Sequence, residues 1–435
     1  MTAELSRSAL PPLPTIVMVS LHTSPLAQPG SGDAGGMNVY VRHLAQCLAH
    51  AGHPVWVLTR QDSPGQRPQP LSPEADLPDA GSLAWVLPVP AGPASPVAKD
   101  ELLPWVEEFA EASLSALEAA GVLGADRSVV VHSHYWLSGL AGVLIARRLK
   151  TPWVHTMHTL AAVKHAQDPE AREAPEREKA ESQLARTADR LVANTPSERR
   201  DLVDLAGAEA DRVVVVPPGV DTGVFTPDGP AAWPGVPAPL RLLFAGRIQS
   251  HKGPQVAVAA LGLLREALVE DGQFTWEPPA SLHLTGAPSG TERLDLISQA
   301  RTAGVQDWVT VSEPMAPAEL SAALRAADAV LMPSHSESFG LVALEAQACG
   351  TPVLAHRVGG LVHAVQDGVT GRLVEDLDPA TWARNLRRIL DDPGGWTELG
   401  PAAARRAQQF GWGEMARTMS GIYCSISEQG PRARR

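Results

Sequence analysis

Cysteine is scarce in this chain, and its scarcity narrows the possible classes of protein. The 435 residues include only Cys47, Cys349 and Cys424, which lie far apart and are odd in number. They match neither the spacing of a zinc site nor a disulfide framework, so we expect a reducing compartment. Cys47 and Cys349 lie in apolar stretches and are predicted to be small core residues.

Long apolar runs and an excess of positive charge are also lacking. No run approaches the length of a transmembrane helix, and the first residues carry charge instead of the apolar core of a signal peptide. We therefore expect a cytoplasmic protein with no membrane partner. The net charge of −12 argues against nucleic acid as a partner, because a phosphate backbone calls for a basic surface. A small anionic ligand stays possible, since a few local Arg and Lys side chains can bind phosphate.

Short apolar runs alternate with Ala- and Leu-rich stretches of helical period along the whole chain. This alternation is typical of parallel sheets covered by helices on both faces. The predicted strands are 15–20, 54–59, 83–89, 129–132, 153–157, 190–194, 213–216, 241–244, 281–285, 309–312, 329–332, 353–356 and 371–374. The main predicted helices are 37–51, 101–120, 176–188 and 255–269. The sequence thus predicts an α/β fold of two Rossmann-like, doubly wound parallel-sheet domains facing across a cleft.

A proline-rich break divides the chain near its middle. Residues 227–239 contain five prolines and two glycines and are predicted to be an inter-domain linker. We expect a disordered extension at 1–14, a first domain at 15–226 and a second domain at 240–411. A C-terminal helix at about 412–427 is expected to pack back on the first domain. No role is predicted for the proline-rich stretch 64–78.

A glycine-rich loop follows the first predicted strand. Four glycines, Gly30, Gly32, Gly35 and Gly36, lie immediately before a helical pattern. Glycine lets main-chain amides approach an anion closely, and the start of a helix adds partial positive charge. The pattern predicts a phosphate or sugar site, and a loop without a ligand is the alternative. It is not the G-x-G-x-x-G fingerprint, so NAD and FAD are excluded.

Two carboxylates, Glu337 and Glu345, flank a Ser-Phe-Gly turn and the start of an Ala-rich helix. Gly340 favours a position for Glu337 in the loop and for Glu345 in the second helical turn. Carboxylates on either side of free helix amides suit a nucleotide-sugar, although two solvated glutamates would give the same pattern.

Arg247 and Lys252 lie around the first strand-to-helix turn after the linker, where they can converge on a diphosphate. Fixed cations there would stabilise the negative charge that a departing nucleoside diphosphate gains. Two solvated surface charges are the alternative.

Histidine pairs end two predicted strands, at 132–134 and 155–158. No third ligand follows at zinc spacing, so a zinc site is rejected, and His132 and His155 are expected to bind backbone carbonyls. Asp376 and Asp378 form a D-x-D pattern, but a helix-capping loop is predicted there.

Taken together, these residues resemble the retaining family 4 glycosyltransferases of the two-Rossmann, or GT-B, architecture. The chain is more narrowly similar to the D-inositol-3-phosphate glycosyltransferase family of mycothiol biosynthesis, from about residue 17 to 423. The broad resemblance rests on GRIQSHKGPQ at 246–255, SESFGLVALEA at 336–346 and the Gly-Gly loop at 359–360. The narrow one rests on HTSPLAQPGSGDAGGMNVY at 22–40, HSHYWLSG at 132–139 and HTMHTLAAVK at 155–164.

The resemblance implies transfer of N-acetylglucosamine from its UDP donor to 1D-myo-inositol 3-phosphate, with retention. The implied catalytic residues are His158, Arg247, Lys252 and Glu337. The implied donor-binding residues are Gln28, Pro29, Gly36, Arg247, Lys252, Met315, Glu337 and Glu345. The implied acceptor-binding residues are His22, Asp33, Ala34, Gly35, Gly36, Met37, Asn38, Lys99, Tyr135, Thr159 and Arg177.

The resemblance also implies a homodimer and no cofactor for the chemistry, with a structural Mg²⁺ held by main-chain carbonyls of Leu324, Arg325, Ala327 and Thr351. Met315 stands where the family typically has Arg, so only a main-chain contact is expected there. A transferase like sucrose-phosphate synthase, a UDP-N-acetylglucosamine 2-epimerase and a catalytically silent sugar-nucleotide sensor are the competing hypotheses.

Overall fold

The structure is a computed structural model that describes residues 13–30, 33–71, 83–124, 128–167, 173–273, 277–288 and 293–431. Within these residues each half of the chain builds one β-sheet. The strands of the first half are β1 (Thr15–Val19), β2 (Val55–Arg60), β3 (Gln69–Pro70), β4 (Ala84–Val89), β5 (Val129–His134), β6 (Trp153–Thr156), β7 (Arg190–Ala193) and β8 (Val213–Val215). Its helices are α1 (Gly36–His50), α2 (Val106–Ala119), α3 (Trp136–Leu149), α4 (Ala161–Gln167), α5 (Arg177–Thr187) and α6 (Pro196–Asp204).

The first sheet has the order β3-β4-β2-β1-β5-β6-β7-β8, and every pair is parallel except β3 with β4. Strand β1 lies in the middle of the sheet, and all five of its side chains are buried. Ile16 and Met18 join one apolar cluster and Val17 and Val19 join another, because successive side chains point to opposite faces. Helices therefore cover both faces of the sheet.

The second half repeats this design. Its strands are β9 (Leu240–Ala245), β10 (Ala280–Thr285), β11 (Val309–Ser312), β12 (Ala329–Met332), β13 (Val353–His356) and β14 (Gly371–Val374). Its helices are α7 (Pro254–Glu270), α8 (Leu296–Thr302), α9 (Pro317–Ala326), α10 (Leu341–Ala348), α11 (Leu361–Ala364), α12 (Pro379–Asp391), α13 (Pro393–Thr397) and α14 (Gly400–Ala407), followed by α15 (Trp412–Gln429). The all-parallel sheet has the order β11-β10-β9-β12-β13-β14, which is the Rossmann order.

Helix α15 returns to the first half. The Tyr423 hydroxyl lies 2.7 Å from His132 Nδ1, and Trp412 stacks on His43 with ring centres 5.1 Å apart. Residues 227–239 carry no helix or strand. The carbonyl of Pro230 accepts a hydrogen bond from Arg325 Nε at 2.8 Å, which fixes this segment to α9. No helix in the described part of the chain is both long and apolar enough to cross a membrane.

The predicted fold class is confirmed, and each predicted strand occurs with its ends within two residues. Strand β3, inside the stretch 64–78, was not predicted because two residues give no alternation. The helix predicted from 101 begins only at Val106, since two 3₁₀ turns around Pro104 precede it. Cys349 is buried as predicted, whereas Cys47 is only partly buried. Most of the predicted extension 1–14, and residues 72–78, lie outside the described residues.

Candidate active site

The predicted site residues lie near the points where the strand order of each sheet reverses. Strand order reverses between β1 and β5 in the first sheet and between β9 and β12 in the second, and ligands of such sheets bind at these points. The loops after these strands face each other. A Cβ placed on Gly35 would lie 3.6 Å from Arg247 Nε, and one on Gly36 would lie 3.5 Å from Leu341 Cδ1. The glycine loop of the first domain therefore packs directly on the cation turn and on α10 of the second.

The side chain of Asn38 shapes the glycine loop from inside. It is buried, its Nδ2 donates to Thr23 Oγ1 at 2.7 Å and to Ser24 O at 2.6 Å, and its Oδ1 accepts from Gly35 N at 3.0 Å. Ala34 is also buried, and Met37 packs against apolar clusters. Within 34–38 the loop therefore offers main-chain groups to a ligand, while these side chains hold its shape.

A second group of predicted acceptor residues gathers around Arg177. Its guanidinium is 1% exposed, its Nη2 donates to Thr159 Oγ1 at 2.6 Å, and it lies 4.9 Å from the centre of the Tyr135 ring. The Tyr135 ring in turn lies 4.7 Å from that of His22. The structure thus brings His22, Tyr135, Thr159 and Arg177 into one continuous surface.

The surroundings of His22 are strongly positive. Burial, followed by the charges of Lys99, Arg247 and Arg177, lowers the pKa of His22 to about 3. Lys99 Nζ lies 3.8 Å from Asp33 Oδ1, so the loop carboxylate partly offsets these cations. Cations from both domains converge on a neutral imidazole, which is the arrangement that an anionic ligand requires.

The predicted donor carboxylates occupy the positions that Gly340 indicated. Gly340 has φ of +93° and precedes α10, which leaves Glu337 in the loop and Glu345 in the second turn. Glu337 Oε2 lies 2.7 Å from Lys252 Nζ. Glu345 is half-buried, its carboxylate has no hydrogen-bond or ionic partner among the described residues, and burial raises its pKa to about 7. A free acceptor therefore sits one helical turn below the amides of the helix start.

The loops beside the donor carboxylates are tied across the domains. Gln28 Nε2 donates to the main-chain carbonyl of Met315 at 3.2 Å, and Gly30 O accepts from Ala287 N at 3.1 Å. Pro29 lies between these two contacts. Met315 contributes its main-chain carbonyl to the first of these contacts, and its predicted main-chain contact with the donor stays a prediction.

His158 lies between the two domains. Its Nε2 is 3.1 Å from His134 Nδ1, and its main-chain carbonyl accepts the hydroxyl of Ser338 from the second domain. Burial and the neighbouring His155 and His22 lower the pKa of His158 to about 3, so the ring is neutral. Of the three non-glycine residues with positive φ in the described chain, Tyr135 (+74°) and His158 (+63°) both belong to this site. Strained backbone of this kind clusters at functional sites.

The prediction that His132 and His155 bind backbone carbonyls is wrong. His132 lies 2.7 Å from the Tyr423 hydroxyl and His155 lies 2.8 Å from Ser133 Oγ, so both use side-chain partners. The reason is tertiary: α15 and β5 bring hydroxyl groups to these strand ends. Asp378 caps α12 through Ala380 N at 3.2 Å, as predicted for the D-x-D pattern.

The residues of the predicted magnesium site lie close together, and the site stays a prediction. Leu324 O already accepts the Thr351 hydroxyl at 2.6 Å and Ala327 N at 3.2 Å, and the guanidinium of Arg325 donates to nearby carbonyls. Main-chain carbonyls, like carboxylates and water, are oxygen ligands that suit Mg²⁺. No group of three or more His, Cys, Asp or Glu side chains suited to a metal occurs within the residues described.

Two charged residues of the site were given no role by the sequence. Glu173 Oε1 lies 2.6 Å from Lys164 Nζ, and its Oε2 lies 2.5 Å from Arg177 Nη1. Lys164 falls within the motif 155–164, which was the available signal. The only local signal for Glu173 was its spacing of four residues from Arg177, and its contact with Lys164 depends on the packing of α4 near α5.

A cleft lies between the two sheets, with His158, Lys164, Glu337 and Gly360 among its walls. Two facing Rossmann-like domains, paired cations and carboxylates beside a helix start define a glycosyltransferase that uses a nucleotide-sugar.

Comparisons with known proteins agree with this class. Residues 26–419 match the family described as family 4 glycosyltransferase in conflict systems. A D-inositol 3-phosphate glycosyltransferase of Arthrobacter sp. (strain FB24) is 46% identical over 422 residues, covering 95% of this chain and 96% of the relative. The protein of the same name from Kineococcus radiotolerans is 46% identical over 428 residues, covering 94% of each chain. The chain therefore belongs to the family 4 glycosyltransferases and, within them, to the D-inositol 3-phosphate glycosyltransferase family.

Solved structures support the architecture. Sucrose-phosphate synthase from Thermosynechococcus elongatus superimposes with a TM-score of 0.81 at 28% identity, covering 96% of this chain and 100% of that one. HepE of Anabaena, solved with UDP-glucose, shares the fold with a TM-score of 0.69 at 17% identity, covering 95% of this chain and 100% of that one. The family resemblance seen in the sequence is thus confirmed.

Proposed function

We propose that this enzyme transfers N-acetylglucosamine from UDP-N-acetylglucosamine to 1D-myo-inositol 3-phosphate with retention, the first step of mycothiol biosynthesis. The observation that carries the proposal is the convergence of Lys99, Arg177 and Arg247 on His22, beside His158. A phosphorylated acceptor brings a dianion, which a protein of net charge −12 must meet with local cations. The names of the relatives support the identity of the acceptor.

In the proposed donor complex, Arg247 and Lys252 bind the diphosphate. Lys252 then exchanges Glu337 for the phosphate oxygens, and the released Glu337 carboxylate accepts hydrogen bonds from sugar hydroxyls. Glu345 accepts from the ribose hydroxyls, with the amides at the start of α10 between the two carboxylates.

The proposed reaction is a substitution on one face of the sugar. The bond from the anomeric carbon to the diphosphate oxygen breaks, and its electron pair stays on the diphosphate, where Arg247 and Lys252 stabilise the charge. The acceptor hydroxyl attacks from the same face, and its proton passes to the departing phosphate oxygen. The products are N-acetylglucosaminyl-inositol phosphate and UDP.

Retaining glycosidases instead use a carboxylate nucleophile. Two carboxylates of the cleft are assigned to other contacts. Glu337 accepts from the sugar hydroxyls in the proposed donor complex, and Glu198 accepts from Asn194 N at 2.7 Å as part of the cap of α6. Isolation of a glycosylated carboxylate on the enzyme would rule out the same-face mechanism.

The test is UDP release from UDP-N-acetylglucosamine across a panel of inositol and hexose phosphates. Release with inositol 3-phosphate is expected, and its absence would refute the proposal. Release with a hexose phosphate alone would favour the second candidate, a sucrose-phosphate-synthase-like transferase, for which the similarity to that solved enzyme is the supporting observation. Conversion of the donor to its 2-epimer without any acceptor would identify an epimerase.

We also infer a homodimer that works in the cytoplasm without a catalytic metal. The family resemblance supports the dimer, and three cysteines without disulfide bonds support a reducing compartment. Light scattering should give the mass of two chains, and EDTA should leave UDP release unchanged.

A further inference from the structure

The carboxylate of Glu173 bridges two cations with two different oxygens. Oε1 lies 2.6 Å from Lys164 Nζ and Oε2 lies 2.5 Å from Arg177 Nη1. A phosphomonoester would meet the same two donors in the same way, with one oxygen on the ammonium and another on the guanidinium. Glu173 therefore occupies a position suited to a phosphoryl group.

Arg177 keeps its orientation without Glu173. Its Nε donates to Glu181 Oε1 at 2.6 Å and its Nη2 donates to Thr159 Oγ1 at 2.6 Å. Glu181 is 2% exposed and also accepts from Ala161 N at 2.8 Å, so it is fixed in the core. The side chain of Glu173 is 13% exposed and precedes α5. Of the two carboxylates on Arg177, Glu173 is the one that a ligand can displace, and its departure would free Nη1.

Lys164 lies between the acceptor cations and the donor turn. Its ammonium lines the cleft, and burial together with the charges of Arg177 and Lys99 lowers its pKa, against the opposing effect of Glu173. Its charge also acts across the cleft, where it contributes to the lowered pKa of His251 beside Lys252. Lys164 is thus close enough to the reacting centre to bind a substrate group.

The charges of this cluster cancel. Three cations face three carboxylates, namely Lys99, Lys164 and Arg177 with Asp33, Glu173 and Glu181. A dianion that entered a neutral, partly buried cluster would gain little unless a carboxylate moved away. Displacement of Glu173 leaves a net positive cluster, which a dianion can neutralise.

We propose that Lys164 and Arg177 form a phosphate subsite in which the Glu173 carboxylate stands in for the phosphoryl group of the acceptor and is displaced by it. The inference rests on the proposed function in that the acceptor is a phosphomonoester. It adds Lys164 as a binding residue and Glu173 as a specificity residue, because an uncharged polyol cannot displace a carboxylate from two cations.

The test is calorimetric titration of the full-length protein with inorganic phosphate. Glu173→Gln removes the competing charge at nearly constant shape and should tighten phosphate binding about tenfold. Lys164→Met should weaken it about tenfold. Glu178→Gln, in the first turn of α5 next to Arg177 and with a side chain 58% exposed, is the matched control and should bind phosphate as the unmodified protein does.

Unchanged or weaker phosphate binding by Glu173→Gln would overturn the proposal, and so would an unchanged affinity in Lys164→Met. Titration with UDP checks that each variant is folded and shows which ligand the cations bind. If a variant changes the affinity for UDP and leaves the affinity for phosphate unchanged, the cations belong to the donor site and the subsite is refuted. No acceptor is turned over in these titrations. If inositol 3-phosphate causes no UDP release, the proposed function is refuted. The phosphate titrations still test the proposed subsite in that case.

Discussion

The isolated carboxylate of Glu345 makes donor binding dependent on pH. It lies half-buried in the second turn of α10 without a cation partner among the described residues, and burial raises its pKa from 4.5 to about 7. The ribose hydroxyls of UDP-N-acetylglucosamine donate hydrogen bonds, and the ionised carboxylate can only accept them. The sugar nucleotide therefore favours the ionised form of Glu345. A proton and the donor therefore compete for the enzyme, and donor binding lowers the pKa of Glu345.

The size of the effect follows from linkage. The carboxyl is about nine-tenths ionised at pH 8 and about one-tenth ionised at pH 6, so donor affinity should fall about tenfold between them, or about 1.4 kcal/mol. The sign is fixed by the raised pKa: donor affinity is nearly complete at pH 8 and is lost as the pH falls through 7. His158 and His251 have pKa values of about 3 and about 2, so neither titrates in this window.

The assay is calorimetric titration with UDP-N-acetylglucosamine at pH 6, 7 and 8 without acceptor. Both phosphates of this donor are esterified, so its own charge is constant over the range. Glu345→Gln should bind the donor with an affinity that no longer depends on pH. Glu198→Gln is the matched control, because burial also raises the pKa of Glu198 to about 7 and Gln keeps the helix cap. A pH profile flattened by Glu198→Gln and not by Glu345→Gln would refute the reasoning.

Substitutions at three further positions, with their controls, test the donor loop and the reacting centre. Glu337→Gln should raise the donor KM about tenfold without weakening UDP binding, since UDP lacks the sugar; equal losses for both ligands would contradict this. A Cβ on Gly360 would lie 2.2 Å from the Cα of Phe339, so Gly360→Ala should lower the melting temperature by several degrees. The control is Gly421→Ala in α15, where a Cβ meets open space, and it should stabilise the protein by about 1 kcal/mol. His134→Phe removes the partner of His158 Nε2 and should lower kcat about tenfold or more at a nearly constant KM; rescue by His134→Asn would support positioning, and an unchanged kcat would exclude it.

The sequence could predict the fold because strand and helix signals are local. The buried run of β1 and the Pro-rich break at 227–239 need no knowledge of the rest of the chain. Gly340 likewise fixed where Glu337 and Glu345 would lie, since its positive φ is a local property. The loops that we propose to bind phosphate were predictable for the same reason: glycines and a strand-to-helix junction occur within a few residues of each other.

The pairing of charges could not be predicted in this way. Nothing in the spacing of Lys164, Glu173 and Arg177 shows that one carboxylate bridges both cations, because the bridge depends on how α4 and α5 pack. The positive φ of Tyr135 and His158 is imposed by tertiary contacts against the local preference of both residue types. Long-range hydrogen bonds from α15 decided the partners of the strand-end histidines.

Two of the cations that are expected to bind a substrate phosphate already have a carboxylate partner. Lys252 lies 2.7 Å from Glu337, and Arg177 lies 2.5 Å from Glu173. These pairs keep the cations oriented and partly neutralised in an acidic protein, and each phosphate must displace a carboxylate in order to bind. A displaced Glu337 needs new donors, which the sugar hydroxyls of the donor supply and UDP alone does not. The enzyme should therefore hold UDP less tightly than the intact donor, which favours release of this product after transfer.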